Sequence, residues 1–231
     1  MYVNEVKQGD IETFERLIRA RSSCRAYKSN PVPRSIIERI LLAAQRTVSD
    51  CNTQPWQVYL VSGEALEDLR SAVYARAMSG APVQADVPSI PHYEGVYQDR
   101  RRTCGWTLYS TLGIQRGDRE HSTQQAMENF KFFNAPHLAI ITAHSSLGPR
   151  GLLDCGGYVT SFLLAAHALD VGAVAQASIA QRADIIRPYV DIPPEQHIVC
   201  GIAFGWPDSS HIVNSVRTVR VSLDEAVQFV G

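Results

Sequence analysis

Lysine is scarce in this chain. Three lysines stand against nineteen arginines among 231 residues, and 23 acidic residues bring the formal net charge to −1. No basic run or stripe stands out, which argues against a nucleic-acid binder. The five cysteines, Cys24, Cys51, Cys104, Cys155 and Cys200, are scattered. They form no CxxC pair and no Cys/His spacing that suits zinc. Their odd number, and the lack of an apolar core in the opening "MYVNEVKQGD", lead us to expect reduced thiols and a cytoplasmic protein. Long apolar runs are missing too. The most apolar helical stretch, residues 152 to 169, carries Asp154 and two glycines, so it reads as a core helix and not as a membrane span. The common fingerprints are absent: no GxGxxG after the first strand, no GxxxxGK[ST], no GxSxG, no HExxH. The histidines, at 92, 121, 137, 144, 167, 197 and 211, show no ligand spacing and read as surface or satisfied core. His167 lies in the most apolar helix without a visible partner.

What is present is an ordinary globular composition, 45% hydrophobic and 19% charged, and nothing marks a domain boundary. One domain over residues 1–231 is expected. Apolar spacing predicts helices over residues 10–20, 35–47 and 64–77. Between the second and third, "WQVYLV" reads as a strand. Residues 79–97 hold three prolines and little periodicity, a long irregular loop of the functional or mobile kind. Helices are expected again over 98–112 and 121–132, then a buried strand over 136–144, the apolar helix 152–169, a short helix over 182–190 and a second core strand over 197–207. The tail, 212–231, reads as extended, with a short helix near its end. A few strands among many helices, without regular βαβ alternation, indicate an α+β fold.

Two stretches carry chemistry. Arg21, Ser22, Ser23 and Arg25 place two guanidinium forks and two hydroxyls within five residues. Such a set suits a phosphate, and equally the polar C-terminus of a helix, where the dipole favours arginine. "SDCNTQPW", residues 49–56, crowds polar side chains against a tryptophan that opens a strand.

"RSSCRAY" followed by "SDCNTQPW" resembles the FMN-dependent nitroreductase family, which has an Arg-x-Ser-x-[Arg/Lys] stretch, a helix, and a Ser-rich segment ending in Asn-x-Gln-Pro-Trp. "NFKFFNAP", "DCGGYVTSFLLAAHALDVGAVAQASIA", "VCGIAFGWP" and "NSVRTVR" are similar to later family segments. "RRRTCGWTLYSTLGIQRGDRE" is similar to the nitrobenzoate and dinitroaniline branch. The resemblance implies a central, mainly antiparallel sheet flanked by helices, with FMN at a homodimer interface. It implies that Arg21, Ser22, Ser23 and Arg25 contact the flavin phosphate and ribityl chain, and that Arg217 and Arg220 of the tail close over the phosphate. Asn129 matches the residue that reads the pyrimidine edge. Ala177 and Ser178 match the loop whose backbone N–H faces flavin N5, and Gln176 adjoins it. Val48, Ser49 and Asn52 match the segment approaching from the partner subunit, while Trp56 is core. No side chain is expected to act as catalytic acid.

Two departures follow. Asp50 adds a negative charge near an anionic cofactor, so it must point away or pair with an arginine. Phe132 stands where a reference branch has lysine, so the source of a cation near flavin N1 and O2 is open, with Arg217 a candidate. The implied reaction is ping-pong hydride transfer from NADH or NADPH, through FMN, to a small flat nitroaromatic or similarly electron-poor substrate. Reductive dehalogenation, enoate-type reduction, flavin fragmentation and non-catalytic flavin binding are the alternatives on the same fold. An insertion over about 79–120 is expected to cover the cleft. Tyr93, Tyr97, Trp106 and Tyr109 are candidates to stack on substrate, and Arg100 to Arg102 to attract a carboxylate. Cys24 and Cys51 read as small buried fillers.

Overall fold

A computed structural model describes residues 8–90 and 92–231. The opening residues 1–7, read above for a leader, lie outside the described residues, as does Pro91 of the proline-rich loop. Four strands form one sheet in the order β1-β2-β4-β3: β1 (Trp56–Ser62), β2 (His137–His144), β3 (Gly172–Gln176) and β4 (Gln196–Gly205). Every neighbouring pair is antiparallel. Around the sheet lie α1 (Gln8–Ala20), α2 (Arg34–Ala44), α3 (Glu64–Met78), α4 (Gly95–Thr111), α5 (Arg119–Met127), α6 (Gly148–Ala168), α7 (Ala177–Ala180), α8 (Ala183–Val190) and α9 (Leu223–Ala226). The architecture is α+β, as the sequence indicates.

Helices cover both faces of the sheet, so β2, one of its two inner strands, is apolar from Leu138 to Ile141 and buried throughout that run. All residues of β2 from His137 to Ala143 are buried. Leu138 and Ile140 pack with Leu66, Leu69 and Val73 of α3 and Ile186 of α8. Ala139 and Ile141 point the other way, to Ile37 and Ile40 of α2 and Tyr158 and Phe162 of α6. This alternation is the period of a strand, read twice into two cores. Trp56 belongs to the second core, 5.1 Å from the Tyr158 ring. Its indole N–H donates to Gln45 Oε1 at 3.0 Å.

Several boundaries differ from the sequence reading. β3 and α7 were missed, because "GAVAQ" is short and runs straight on from a helical segment. α6 begins at Gly148, four residues before the apolar run, with a proline in its first turn, where a missing N–H costs nothing. The helix expected over 121–132 stops at Met127 and tightens into a 3₁₀ segment, Glu128–Asn134. Phe132, Phe133 and Asn134 there adopt positive φ of 54°, 51° and 55°, a region that disfavours non-glycine residues. Arg70 of α3 holds this bend. Its buried guanidinium donates to the carbonyls of Lys131 and Ala135 and to Glu67, and lies over the Phe132 ring. The loop after α3 is anchored as well: Asp86 accepts from Arg187 at 2.6 Å and from the Ile198 N–H at 2.8 Å. Arg182 donates to Ala81 O at 3.1 Å.

His137 ties β2 to two neighbouring segments. Its Nε2 accepts the Val32 N–H at 2.9 Å, so Nδ1 carries the proton and donates to Ser62 Oγ at 2.6 Å. Burial holds its pKa below the ordinary histidine value. The unfolded chain therefore binds more protons as pH falls below about 6.5, and stability is full above that pH and declines beneath it. Melting temperatures measured from pH 7 to pH 5 are expected to fall, with part of the slope gone in His137→Gln. An unchanged slope in that variant would show that His137 does not take up the proton.

Candidate functional site

The segment after α1 is laid along the free edge of β3. Ser23 pairs in parallel with Ala173, the Cys24 N–H donates to Ala173 O at 3.2 Å, and Tyr27 bridges to Pro207 just beyond β4. Asn214 braces this strip from the tail side. Its Oδ1 accepts the Arg25 N–H at 2.8 Å, and its Nδ2 donates to Ala26 O and Asp208 O, each at 2.9 Å. Asn214 was not singled out as a site residue, although it lies inside the tail motif "NSVRTVR".

The arginines divide between three cavities. One of about 330 Å³ is lined by Arg21, Ser23, Thr160, Ala175 and Arg220. A second, of about 510 Å³, is lined by Arg21, Ser22, His167, Asp170 and Arg217. The third, of about 540 Å³, holds Arg25 with Glu128, Phe133, Asn134 and His121. Arg25 donates to Ser23 O, Arg217 to Asn214 O and Val216 O, and Arg220 to Thr218 O, Thr218 Oγ1 and Val219 O. Their hydrogen bonds are thus spent on neutral oxygens, and the positive charge is left for something else. Burial and the nearby charge of Arg220 hold the Arg21 guanidinium below its ordinary pKa. Burial does the same to Arg25. His167, partnerless in the sequence, faces this cluster; burial first, then Arg21, Arg16 and Arg217, push its pKa down against the opposing pull of Asp170.

A second polar group closes the far end of β3. Gln176 is 3% exposed. Its Nε2 donates to Asn129 O at 2.9 Å and to Asn129 Oδ1 at 3.3 Å. Asn129 Nδ2 donates to Ala126 O at 3.0 Å. Gln176 Oε1 and Ser178 Oγ are buried without a partner among the described residues. Native interiors rarely leave such atoms unpaired, and here two of them lie two residues apart beside the arginine-lined edge. Phe132 is fully buried in the core, so the lysine missing from that position is not replaced by a polar surface group.

Val48, Ser49 and Asn52 are not brought to this place. They line none of these three cavities. Val48 is 85% exposed, and the loop rests against the opposite half of α6. The Asp50 N–H donates to Asp154 Oδ2 at 3.1 Å, and Arg150 donates to Asp50 Oδ2 at 2.7 Å. Asp50 is therefore paired with an arginine, as its charge requires. Cys24 is a buried filler, but Cys51 is exposed and has φ 48°, because the tight turn before Trp56 turns it outward. Arg100 pairs with Glu225 at 3.6 Å and Arg102 with Asp99 at 3.9 Å, leaving Arg101 over the Tyr93 ring. Tyr93 and Tyr97 are exposed, while Trp106 and Tyr109 meet edge to face at 5.9 Å. None of the four is core in this chain. Arg70 was missed altogether. Its signal is its place, four residues after Leu66 and three before Val73, on the apolar stripe of α3.

Among the described residues no His, Cys, Asp and Glu group is placed to hold a metal, and no helix is long and apolar enough to cross a membrane. Residues 18–206 match the Nitroreductase family. Nitroreductase NfnB of Mycolicibacterium smegmatis is 33% identical over 219 residues, 94% of this chain and 93% of that protein. A 4-nitrobenzoate reductase of a Nocardioides species is 32% identical over 223 residues, 95% of this chain and 90% of that protein. The crystal structure of the FMN-dependent NfnB from Mycobacterium smegmatis in complex with NADPH superposes with a TM-score of 0.90 at 32% identity, covering 96% of this chain and 99% of that one. With the sheet order, the arginine-lined edge and these likenesses together, the chain belongs to the nitroreductase family.

Proposed function

We propose that this chain is an FMN-dependent oxidoreductase that takes electrons from NADH or NADPH and reduces nitroaromatic or similarly flat, electron-poor substrates. The observation that carries the reading is the convergence of Arg21, Ser23 and Arg220 on one cavity beside Ala175, at the strand edge that leads to the unpartnered Gln176 and Ser178 atoms. A flavin mononucleotide has a dianionic phosphate at one end and a polar ring edge at the other, so the donor set fits the group. When bound, FMN supplies the two-electron hydride chemistry, and the protein supplies binding, orientation and electrostatics.

Arg21 and Arg220 hold the phosphate by charge-assisted hydrogen bonds, with Ser22 and Ser23 as neutral donors and Arg217 beside them. Asn129 and Gln176 fix the polar ring edge, and the backbone of Ala177 and Ser178 lies along it. Arg25, not Arg217, is our choice for the cation near the reduced ring. It shares a cavity with Glu128, Phe133 and Asn134 of the Asn129 segment, whereas Arg217 lines the cavity of His167. Val48, Ser49 and Asn52 complete the site of a second copy. Their distance from the arginines in one chain, and the exposed apolar Leu153 of α6, support a homodimer built on this face. The insertion of about 79–120 covers the cleft, with the whole chain acting as one domain.

Freshly purified protein is expected to show an oxidised-flavin spectrum with about one FMN per chain, and to oxidise NADH or NADPH in the presence of a nitrobenzoate. Donor and acceptor occupy the cleft in turn, so initial rates with both varied are expected to give parallel reciprocal plots. A colourless protein that takes up no added FMN would remove the reading, and converging plots would remove the shared cleft.

A further inference from the structure

His167 stands in the last turn of α6 and lines the cavity of about 510 Å³ together with Arg21, Ser22, Asp170, His211 and Arg217. Its ring is half-buried and has no hydrogen-bond partner among the described residues. Charges reach it from each element around it: Arg16 from α1, Arg21 from the strip that follows α1, Arg217 from the tail, and Asp170 from the turn after α6. Cys24 and His211 are the other titratable groups of the cavity wall. Burial pushes the Cys24 thiol up, and His211 Nδ1 accepts the Val213 N–H at 3.2 Å. Three guanidiniums therefore stand against one carboxylate. A helix C-terminus favours a charged imidazole, but burial first and then Arg21 hold this one below its ordinary pKa.

Arg21 also lines the smaller cavity, with Ser23 and Arg220. One guanidinium thus stands in the wall between the two spaces. A dianion held on Arg21 reverses the balance around His167, because it brings two negative charges to a place where positive charge is in excess.

We infer that His167 takes up a proton when the flavin phosphate settles on Arg21, and that its charge then joins those of the arginines, so that the chain holds FMN more tightly at mildly acid pH. The inference rests on the FMN reading above and adds to it a binding residue and a pH dependence. Its sign follows from the geometry. The free chain keeps the imidazole below the ordinary value and the phosphate raises it, so affinity increases as pH falls through the value in the complex and levels off below that of the free chain. FMN acts in the opposite sense, since a phosphate monoester gives up its second charge at about pH 6. Comparing the native chain with His167→Gln isolates the histidine, because ligand and remaining groups titrate alike in both.

Full-length, flavin-free protein is titrated with FMN by calorimetry at pH 6.5 in buffers of different ionisation enthalpy, and Kd is followed from pH 8 to pH 6. The native chain is expected to take up about half a proton more per FMN than His167→Gln. The ratio of Kd values, variant over native, is expected to rise about three- to tenfold as pH falls over that range, since a tenfold change in affinity accompanies each pH unit by which the imidazole titration moves. A merely structural loss in the variant would change Kd by the same factor at every pH. Equal proton uptake, or a ratio that does not vary with pH, overturns the inference. An NMR titration of the histidine rings in the native chain needs no variant to bind: the His167 midpoint is expected at higher pH with FMN than without, and a midpoint that stays in place overturns the inference too. If the native chain binds no FMN at any pH, the FMN reading itself falls, an outcome distinct from binding without proton uptake.

Discussion

Replacing Arg21 and Arg220 together by glutamine is expected to weaken FMN binding by about 10²–10⁴-fold. A hydrogen bond to a charged partner contributes about 1.5–3 kcal/mol, and each factor of ten in affinity takes about 1.4 kcal/mol. The flavin-free protein is expected to respond differently. In it the two arginines line one cavity, and burial first, then the charge of Arg220, lowers the pKa of Arg21. Removing like charges relieves that repulsion, so the melting temperature of the flavin-free variant should be unchanged or higher. The rise in melting temperature on adding FMN should shrink, because that rise follows ligand concentration over Kd. Titration calorimetry with inactive, flavin-free protein checks the first outcome and differential scanning the second. A variant that keeps native affinity for FMN would show that the phosphate lies elsewhere.

The second large effect is structural. Arg70→Met is expected to destabilise the chain by about 3 kcal/mol, since it strands two buried carbonyls, Lys131 O and Ala135 O, and removes a buried cation from its partners. For a chain of this size that corresponds to about 6–12 °C in melting temperature. Glu67→Gln should cost far less, because Glu67 is mostly exposed and surface ion pairs contribute little. The effect is also expected to reach the site. Arg70 holds the left-handed turn at Phe132, Phe133 and Asn134, and Asn129 stands at the start of that same segment. Affinity for FMN should therefore fall in Arg70→Met even at temperatures where the chain is folded. Unaltered affinity in a folded variant would separate the bend from the site.

Much of this was legible before any coordinates. β2 could be read because seven successive residues are buried between two helical layers, which leaves a run of apolar side chains that little else produces. Trp56 could be read as core from the strand it opens. β3 could not, since five mostly small residues between a turn and the short helix α7 carry no period of their own. The bend at Phe132–Asn134 was invisible for a different reason: in "FKFFN" only Asn134 favours positive φ, and at Phe132 and Phe133 the conformation is held from outside by Arg70. For the candidate site, the spacing of Arg21, Ser22, Ser23 and Arg25 suited a phosphate and a helix C-terminus equally, and only the family resemblance chose between them. Their division among separate cavities did not, because it depends on which side of an extended strip each side chain leaves. The separation of Val48, Ser49 and Asn52 from the arginines is likewise a fact of three dimensions. In sequence the two groups are only some twenty residues apart.

α4 is seventeen residues long and not one of its side chains is buried in the chain as described. Its ties to the rest include the Arg100–Glu225 ion pair and the cation–π contact of Arg116 with Trp106, both of a kind that contributes little to stability. A helix in this position, half-buried at most, is under weaker packing constraints than the elements of the core. Substitutions along it should be tolerated by the fold; on the proposal that this segment covers the cleft, they would also alter what the cleft admits, which would make α4 the part of the molecule where evolution, or a directed library, can explore new substrates at the smallest risk to the scaffold.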